Sequence, residues 1–267
     1  MKKFGLYLTG LFLSFFCLTS CLKGTNVEEG WIVGVLKFNS AFSLIIKTSS
    51  MGDLYAPNIT SIFNNGDIDI DDCFLLYYRL DLDQPENASN IVEANGYLTV
   101  TILEIAKMPK YYLNSGPTDT STSLPNEIPV EKGYISGEYV DKYLVLSHEV
   151  YQPAEMELDW HISSSVVMPT EENEKRYYDL YIRATVKKES ESTFKTIIPY
   201  WNAYYIYNFI PTAASLEKAI LGSNYNESLS KFTIRFFYVS SINEETNEIT
   251  WKNEQVENFV VWYLEDY

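Results

Sequence analysis

The sequence predicts an all-β protein made of a small OB-like barrel followed by an antiparallel β-sandwich with one short helix. Its apolar runs are short and rich in aromatic and β-branched residues, which favour strands; Tyr alone numbers 22 among 267 residues. Gly, Asn, Asp and Pro separate these runs at the short intervals typical of turns between strands. In the second half of the chain, apolar and polar residues alternate with the two-residue period of a half-buried strand.

Residues 1–20 predict an export signal peptide that is removed from the mature chain. Lys2 and Lys3 precede an apolar run of roughly 15 residues, the length of a signal-peptide core and shorter than a membrane-spanning helix. The run ends in the Leu-Thr-Ser-Cys sequence at 18–21, which is similar to the lipobox of bacterial lipoproteins. That similarity implies cleavage after Ser20 and lipid attachment on Cys21. An ordinary secretory signal and an uncleaved membrane anchor are the alternatives.

Residues 21–30 predict a lipidated tether between the membrane and the folded chain, because they are few and polar. Several acyl chains hold a protein firmly, since each buried methylene contributes roughly 0.8 kcal/mol. We therefore expect an envelope protein anchored by acyl chains such as palmitate on Cys21, in the outer membrane. Only Glu28 and Glu29 are acidic in this stretch, which favours the periplasmic face but leaves the surface face open.

The composition argues against a nucleic-acid partner and against a disulfide framework. The formal net charge is −16, and so negative a chain repels nucleic-acid phosphates. Of the three cysteines, Cys17 leaves with the signal peptide and Cys21 would be acylated. Cys73 then has no disulfide partner, and its apolar neighbours predict a buried thiol that packs as a small apolar side chain.

Residues 31–110 predict the OB-like barrel. Five strand-like runs separated by turn residues occur here, and closing them into a barrel would remove exposed strand edges. No apolar period of helical length is visible in this part of the chain, and a plain meander is the alternative topology. The predicted strands are Trp31 to Lys37, Phe42 to Thr48, Leu54 to Pro57, Cys73 to Leu80 and Tyr97 to Ala106.

Residues 111–127 predict a linker or a long exposed loop, because Asn114 to Pro125 contains almost no apolar side chain. A segment without apolar side chains gains no hydrophobic stabilisation from packing against a folded domain.

Residues 128–267 predict the β-sandwich, since many strands and a single helix suit two packed sheets. The helix is predicted with Thr212 as its N-cap, Leu216, Ala219 and Ile220 as its apolar side, and Gly222 at its end. The strands with the clearest period bury Tyr178, Leu180, Ile182, Ala184 and Val186, and then Phe232, Ile234, Phe236 and Tyr238.

Together these features resemble the NigD-like lipoproteins of Bacteroides-type bacteria. The resemblance rests on the lipobox, on residues 66–68 leading toward the aromatic run 74–78, on the strand end 103–107, and on a linker followed by an aromatic-rich β domain. It implies an OB-like N-terminal domain and a C-terminal β-sandwich, with no catalytic residues to assign. The family takes its name from a bacteriocin gene cluster, which suggests a protective, immunity-like role. The chain departs from the family in having few acidic residues directly after Cys21.

Two candidate metal sites receive little support from residue spacing. The acidic run Asp67 to Asp72 resembles a calcium loop, but Asp72 stands where that loop needs glycine and Tyr78 where it needs glutamate. A solvated, charged strand edge is the simpler interpretation. His148 and His161 are the only histidines, fewer than the three or four ligands that zinc usually takes. We therefore expect no metal and no cofactor.

An aromatic segment at 200–208 is the candidate binding site. On a strand, Trp201 would face one way, and Tyr200 and Tyr204 the other, so one set would lie in the core and the other could form an exposed platform. Tyr and Trp offer large, rigid contact surfaces for a sugar or a protein. The alternative is that the whole segment reflects packing and strand propensity. The candidate stacking residues are Tyr200, Trp201, Tyr204 and Tyr205.

No nucleophile elbow or phosphate-binding glycine loop occurs in the sequence, so we expect a protein that is not an enzyme. The favoured function is an envelope lipoprotein with a binding, structural or protective role, attached to the membrane through Cys21 and contacting an envelope protein. The alternatives are a glycan-binding accessory lipoprotein and a pilus-type β-sandwich subunit.

Overall fold

A computed structural model describes residues 26–64, 68–114, 118–164, 169–172, 175–224 and 231–260. The chain divides into two compact units between Lys107 and Met108. The predicted signal peptide, Cys21 and residues 22–25 lie outside the described residues. Within the described ranges, no helix has the length and apolar character needed to cross a membrane.

The described part of the first unit contains a curled sheet and two short α-helices. Its strands follow the order β5-β3-β2-β1-β4-β6 across the sheet. The elements are β1 (Val27–Phe38), β2 (Leu44–Thr48), β3 (Asp53–Tyr55), α1 (Ile59–Asn64), β4 (Cys73–Asp81), α2 (Ser89–Asn95), β5 (Leu98–Thr99) and β6 (Thr101–Lys107).

The ends of this sheet are joined by the chain itself, which produces the predicted OB-like barrel. Only Val100 separates β5 from β6. The first of these pairs in parallel with β3 and the second pairs antiparallel with β4. One nearly continuous strand therefore contacts both edges of the sheet, which removes free strand edges.

The barrel core depends on a glycine in the longest strand. Gly34 of β1 lies over Ile46 and Phe74, both fully buried. A Cβ atom at position 34 would collide with Ile46 Cγ2 and stand 3.1 Å from Phe74 Cε2. Only a residue without a side chain lets these strands pack this closely.

Two features of the first unit differ from the sequence-based prediction. The helices α1 and α2 were not expected, because their six and seven residues are too few to reveal a helical period. The predicted tether is too long: Val27 to Gly30 already form the beginning of β1, paired with Tyr78 to Asp81. Cys73 is fully buried, as predicted.

The second unit is a larger set of strands with one substantial helix. Its elements are β7 (Lys110–Asn114), β8 (Glu127–Ile128), β9 (Lys132–Val140), β10 (Tyr143–Pro153), β11 (Glu157–Ser163), β12 (Thr170–Glu172), β13 (Lys175–Lys188), β14 (Lys195–Tyr205), α3 (Phe209–Leu221), β15 (Lys231–Ile242) and β16 (Ile249–Val260).

These strands form two facing layers connected through β7, which confirms the predicted sandwich class. The order is β16-β15-β13-β11-β7-β14-β10-β9. One core cluster contains Leu144 and Tyr204 from one side of β7, and Trp160, Tyr178 and Phe236 from the other. The pairing is not purely antiparallel, because β7 runs parallel to both neighbours and β13 runs parallel to β15. Parallel and antiparallel strands show the same alternation of apolar residues, so the sequence does not predict which pairs are parallel.

The predicted linker 111–127 is part of the second unit. Residues 111–114 belong to β7, and the later part of the segment is fastened to the outer surface of β13 and β16. Trp251 Nε1 donates to the Thr120 carbonyl at 2.9 Å, and Val186 N donates to the Asn126 carbonyl at 2.9 Å. Hydrogen bonds, and not buried apolar side chains, hold this segment against the second unit. The polar composition of the segment does not predict these bonds.

The helix α3 starts earlier than predicted. It begins at Phe209 after Asn208, so Thr212 lies inside the helix and is not its N-cap. Gly222, with φ of 54°, ends the helix as predicted. The buried face consists of Phe209, Ile210, Ala213, Ala214 and Glu217, whereas Ala219 and Ile220 are exposed.

Candidate functional site

The aromatic segment of β14 has two faces, as the two-residue period of a strand predicts. Tyr204 and Asn202 are fully buried, and Tyr200 is half-buried against the same core. Trp201 lies on the opposite face with 37% of its surface exposed. The four residues predicted as one binding set are therefore divided between the core and the surface.

Tyr204 belongs to the core, which corrects its assignment as a stacking residue. Its hydroxyl lies 2.7 Å from His148 Nε2 and accepts a hydrogen bond from Asn202 Nδ2 at 3.2 Å. Tyr200 also points inward, where its hydroxyl accepts a hydrogen bond from Gln152 Nε2 at 2.6 Å. These hydroxyl groups are used inside the protein, so they are not offered to an external ligand.

The hydrogen bonds of His148 indicate its tautomer, and its burial keeps the ring neutral. Its Nδ1 lies 2.5 Å from the Gly133 carbonyl, which can only accept, so Nδ1 carries the proton. In the neutral ring Nε2 is then unprotonated and accepts a hydrogen bond from the Tyr204 hydroxyl. Complete burial disfavours the charged ring and lowers the pKa of His148 to about 4. His148 is therefore a neutral core residue in this fold, not a metal ligand.

Around His148 lies a polar cluster inside the sandwich. The His148 ring stacks on Trp160 with centroids 4.5 Å apart, and Trp160 contacts Tyr200 at 5.5 Å. Three buried atoms of this cluster have no hydrogen-bond partner among the residues that the structure describes: Trp160 Nε1, Gln152 Oε1 and Asn202 Oδ1. Buried polar atoms of this kind are normally satisfied by internal water.

The outer face of β10 and β14 carries an exposed apolar surface, which we name the β10–β14 patch. It consists of Tyr151, Ile197, Pro199 and Trp201. Tyr151 is 58% exposed and lies directly opposite Ile197, which is 52% exposed. Pro199 stands opposite Glu149, whose carboxylate pairs with Lys132 Nζ at 3.0 Å. Four neighbouring apolar side chains on two paired strands form a surface that water solvates poorly.

Tyr205 lies in a separate group of tyrosines near the other end of β14. Its ring contacts Tyr112, Tyr143 and Tyr207 at centroid distances of 5.6, 5.3 and 6.1 Å. Tyr112 is the most exposed of these, at 69%, and Lys142 Nζ stands 5.0 Å from the centre of the Tyr207 ring. The candidate binding residues Trp201 and Tyr205 therefore have different neighbours and do not form one surface.

Carboxylates of the acidic run near residue 70 form ion pairs with lysines. Asp67 lies outside the described residues. The Asp71 carboxylate pairs with Lys37, and that of Asp72 pairs with Lys107 at 2.5 Å and accepts a hydrogen bond from Asp69 N at 2.7 Å. The hydrogen bond that Lys107 donates to the Asp72 carboxylate raises the pKa of Lys107. Among the described residues, no group of three or more acidic, His or Cys side chains is placed to hold a metal ion.

The outer face of β13 and β15 contains two arginine clamps that sequence reasoning missed. Arg235 donates to both Asp179 carboxylate oxygens, at 2.7 and 2.9 Å, and lies between the rings of Tyr177 and Phe237 at 4.8 Å from each. These contacts raise its pKa, with the Asp179 hydrogen bond as the largest cause. Arg183 holds Glu127 in the same bidentate way. In the sequence, these clamps are indicated only by an arginine at a polar position of the two-residue pattern in β13 and in β15.

Comparison with known proteins finds a family similar to the first unit. Residues 24–106 match the family model described as Lipoprotein OB domain. The resemblance to the NigD-like lipoproteins implies an OB-like N-terminal domain, and this match confirms that part of the prediction. No curated protein matches the sequence.

Solved structures share the fold over most of the chain. An uncharacterized protein from Parabacteroides merdae ATCC 43184 aligns with a TM-score of 0.69 at 19% identity, covering 85% of this chain and 98% of its own. A protein from Bacteroides fragilis NCTC 9343, provisionally named a lipoprotein, aligns with a TM-score of 0.54 at 11% identity, covering 88% and 100%. A NigD-like immunity protein from Bacteroides caccae ATCC 43185 aligns with a TM-score of 0.43 at 12% identity, covering 86% and 93%. The TM-scores of the first two alignments show a common fold, and identities this low show no common activity.

Proposed function

We propose that this chain is a lipid-anchored binding protein of the cell envelope, that it is not an enzyme, and that it contacts a protein partner through the β10–β14 patch. The similarity of residues 24–106 to a lipoprotein OB domain supports the envelope location. The lipobox-like sequence ending in Cys21 supports the anchor.

The observation that carries the proposal is the exposure of the patch. Tyr151, Ile197 and Trp201 are each at least 37% exposed, although they are apolar and lie side by side on two paired strands. Aromatic side chains at the centre of an interface supply much of its binding energy. A surface of this kind usually marks a contact site when it recurs on neighbouring strands.

The composition of the patch favours a protein over a glycan. Ile197 and Pro199 are aliphatic and carry no side-chain hydrogen-bonding group, whereas a sugar site combines aromatic rings with several polar groups. The net charge of −16 adds a long-range attraction for a positively charged partner. The partner is therefore a cationic protein with an apolar contact surface.

Site-specific photo-crosslinking in living cells tests this proposal. A photoreactive amino acid at position 201 or 151 is expected to give a discrete adduct with one protein. The same group at Phe42, which is 86% exposed and lies in the first unit, is the matched control and should not give that adduct. Ile197→Ser should weaken the adduct formed at 151. Equal adducts from positions 42 and 201 would contradict the proposed contact surface.

The anchor is tested separately. Cys21→Ala should leave the protein unprocessed or release it from membranes, and wild-type protein should incorporate a radiolabelled fatty acid. A mature chain without label would contradict lipid attachment on Cys21.

Glycan binding is the second candidate, and the exposed ring of Tyr112 beside Tyr205 and Tyr207 favours it. Stacking on tyrosine rings is a common way to hold a sugar ring. A glycan array probed with the lipid-free chain distinguishes the candidates. Binding that Tyr112→Ala abolishes would support the glycan function, whereas an empty array leaves the protein partner as the better explanation.

A further inference from the structure

Three fully buried side chains of the second unit form a chain of hydrogen bonds, which we name the His148 relay: His148, Tyr204 and Asn202. His148 Nε2 lies 2.7 Å from the Tyr204 hydroxyl, and that hydroxyl accepts a hydrogen bond from Asn202 Nδ2 at 3.2 Å. The other ring nitrogen, Nδ1, donates to the Gly133 carbonyl. Because a carbonyl oxygen only accepts, Nδ1 keeps its proton whether the ring is neutral or charged. Any further proton therefore binds at Nε2, beside Tyr204.

The last member of the relay has an acceptor that the neutral state does not use. Asn202 Oδ1 is buried and has no hydrogen-bond partner in the part of the chain that the structure describes. While the Tyr204 hydroxyl donates to His148, it can only accept from Asn202, so the amide presents Nδ2. The oxygen and nitrogen of an amide are nearly interchangeable in shape, and a half-turn about the terminal torsion exchanges their positions. That half-turn places Oδ1 beside the Tyr204 hydroxyl.

Proton binding at Nε2 reverses the direction of both hydrogen bonds. Nε2 becomes a donor, so the Tyr204 oxygen accepts from it and must direct its own hydrogen to another acceptor. Asn202 Oδ1 becomes that acceptor after the half-turn, so no hydrogen bond of the relay is lost. The His148 ring also stacks on Trp160 with centroids 4.5 Å apart, and the face of an indole attracts a cation. The cluster therefore contains a partner for each group of the charged ring.

Tyrosines are the ionisable side chains around the relay. Tyr200 and Tyr204 belong to β14, Tyr111 of β7 lies 5.9 Å from the Tyr204 ring, and Tyr238 of β15 lies over Gly133. Tyrosine hydroxyls do not ionise in acid. His148 is therefore the member of this cluster that binds a proton as the pH falls.

The charged side chains of the neighbouring strands point away from His148. Glu149 follows it on β10 but pairs with Lys132 of β9 on the outer face. Asp159 and His161, on either side of Trp160 in β11, are exposed. Burial is the largest cause of the lowered pKa of His148, opposed by the Gly133 hydrogen bond, and no charged side chain contributes to it.

We propose that the His148 relay is a reversible acid switch within the folded second unit, in which proton binding turns the Tyr204 hydroxyl and the Asn202 amide. The switch acts on both layers of the sandwich, since His148 and Tyr204 lie on β10 and β14 whereas Trp160 belongs to β11. Burial determines the acidity at which it operates, because burial lowers the pKa of His148 to about 4. The switch lies inside the second unit and does not depend on the proposed contact surface.

NMR spectroscopy of the mature, lipidated protein in detergent micelles tests this switch. The protein is labelled with ¹⁵N in its histidine rings and asparagine side chains and is titrated from pH 7 to pH 3. Near-ultraviolet circular dichroism follows the fold over the same range. The chain has only two histidines, so the spectrum of His148→Gln assigns the ring signals, and that of Asn202→Leu assigns the amide signal.

At neutral pH the His148 ring should carry its proton on Nδ1. The ring should titrate with a midpoint near pH 4 without a change in circular dichroism, and the side-chain amide signal of Asn202 should shift with the same midpoint. An Asn202 signal that does not move would overturn the switch, as would loss of the fold before His148 titrates.

Asn202→Leu removes the reserve acceptor without touching the imidazole ring. An unsatisfied buried donor then destabilises the protonated state, so the His148 midpoint should fall by about one pH unit. Leu144→Val is the matched control, because Leu144 is equally buried opposite Tyr204 and has no hydrogen-bonding side chain; its midpoint should equal that of the wild type. A wild-type midpoint in Asn202→Leu would overturn the relay. If Asn202→Leu does not fold, the nuclear Overhauser contact with the Tyr204 ring assigns the Asn202 signal, and its shift in the wild type decides.

Discussion

Arg183 and Glu127 form a buried bidentate ion pair that fastens an otherwise polar segment to the second unit. The guanidinium Nε and Nη2 donate to the two carboxylate oxygens at 2.7 and 2.6 Å, and the side chains are only 5% and 0% exposed. The same guanidinium donates to the carbonyls of Asp119 and Thr122. One arginine therefore holds residues 119–127 at three points.

Replacing Arg183 should destabilise the second unit strongly. Arg183→Ala leaves Glu127 buried and unpaired, which costs about 3–5 kcal/mol of unfolding free energy. Denaturant unfolding measures the loss. Arg79→Ala is the control, because its pair with Glu29 is solvent-exposed, and such pairs contribute at most about 1 kcal/mol. Similar, small effects at both positions would contradict the clamp.

Two glycines in the same strand should respond differently to the same substitution. Gly34→Ala forces a methyl group against Ile46 and Phe74, and overpacking of this kind costs about 1–3 kcal/mol. Gly30→Ala meets only Tyr78, at an ordinary 3.5 Å, so its unfolding free energy should change by less than about 0.5 kcal/mol. Thermal unfolding of the two variants compares them directly. A Gly34→Ala protein as stable as wild type would show that β1 and β2 are farther apart than described.

The buried His148 should make the protein sensitive to acid. Its pKa falls from 6.5 to about 4 on folding, so the unfolded chain binds a proton that the folded chain excludes. Stability from this source is complete above pH 6.5 and is lost as pH falls toward 4, by about 3 kcal/mol in total. Unfolding free energy measured between pH 7 and pH 4 gives the slope. His148→Gln should flatten that slope, whereas His161→Gln, at the exposed histidine, should not.

Aromatic substitutions on the two faces of β14 should differ in how much they lower the free energy of unfolding. Tyr204→Phe removes the hydroxyl that donates to His148 Nε2 and should cost about 1–3 kcal/mol, the penalty for an unsatisfied buried group. Trp201→Ala removes a larger side chain from an exposed site and should cost less. Chemical unfolding of both variants decides the point. A more destabilising change at 201 would place Trp201 in the core.

The core of the second unit should contain ordered water. Trp160 Nε1, Gln152 Oε1 and Asn202 Oδ1 are buried and without a partner within the described ranges of the chain, and water supplies both the acceptor and the donors that they need. A high-resolution crystal structure should contain water within about 3.2 Å of each atom. Trp160→Phe should remove the water at the indole site alone. An electron-density map without a water peak near any of the three atoms would contradict this expectation.

The sequence was sufficient for features that depend on local patterns. The two-residue period located the buried face of β13, from Tyr178 to Ala184, and the loop glycine at 222 ended α3. Partners distant in sequence were not predictable. The clamp joins Arg183 to a residue 56 positions away, and nothing in the composition of 111–127 indicates a charged anchor. The inward position of Tyr204 depends on His148, which is also 56 positions away.

The position of β7 limits where this protein can be cut. Residues 110–114 come first in the second unit, yet they pair with β14 on one side and β11 on the other. A fragment that starts at residue 128, where the polar stretch ends, would lack the strand joining its two layers and would present two unpaired edges to other molecules. Limited proteolysis between residues 115 and 127 would therefore leave the halves associated, whereas recombinant expression from residue 128 would yield aggregates.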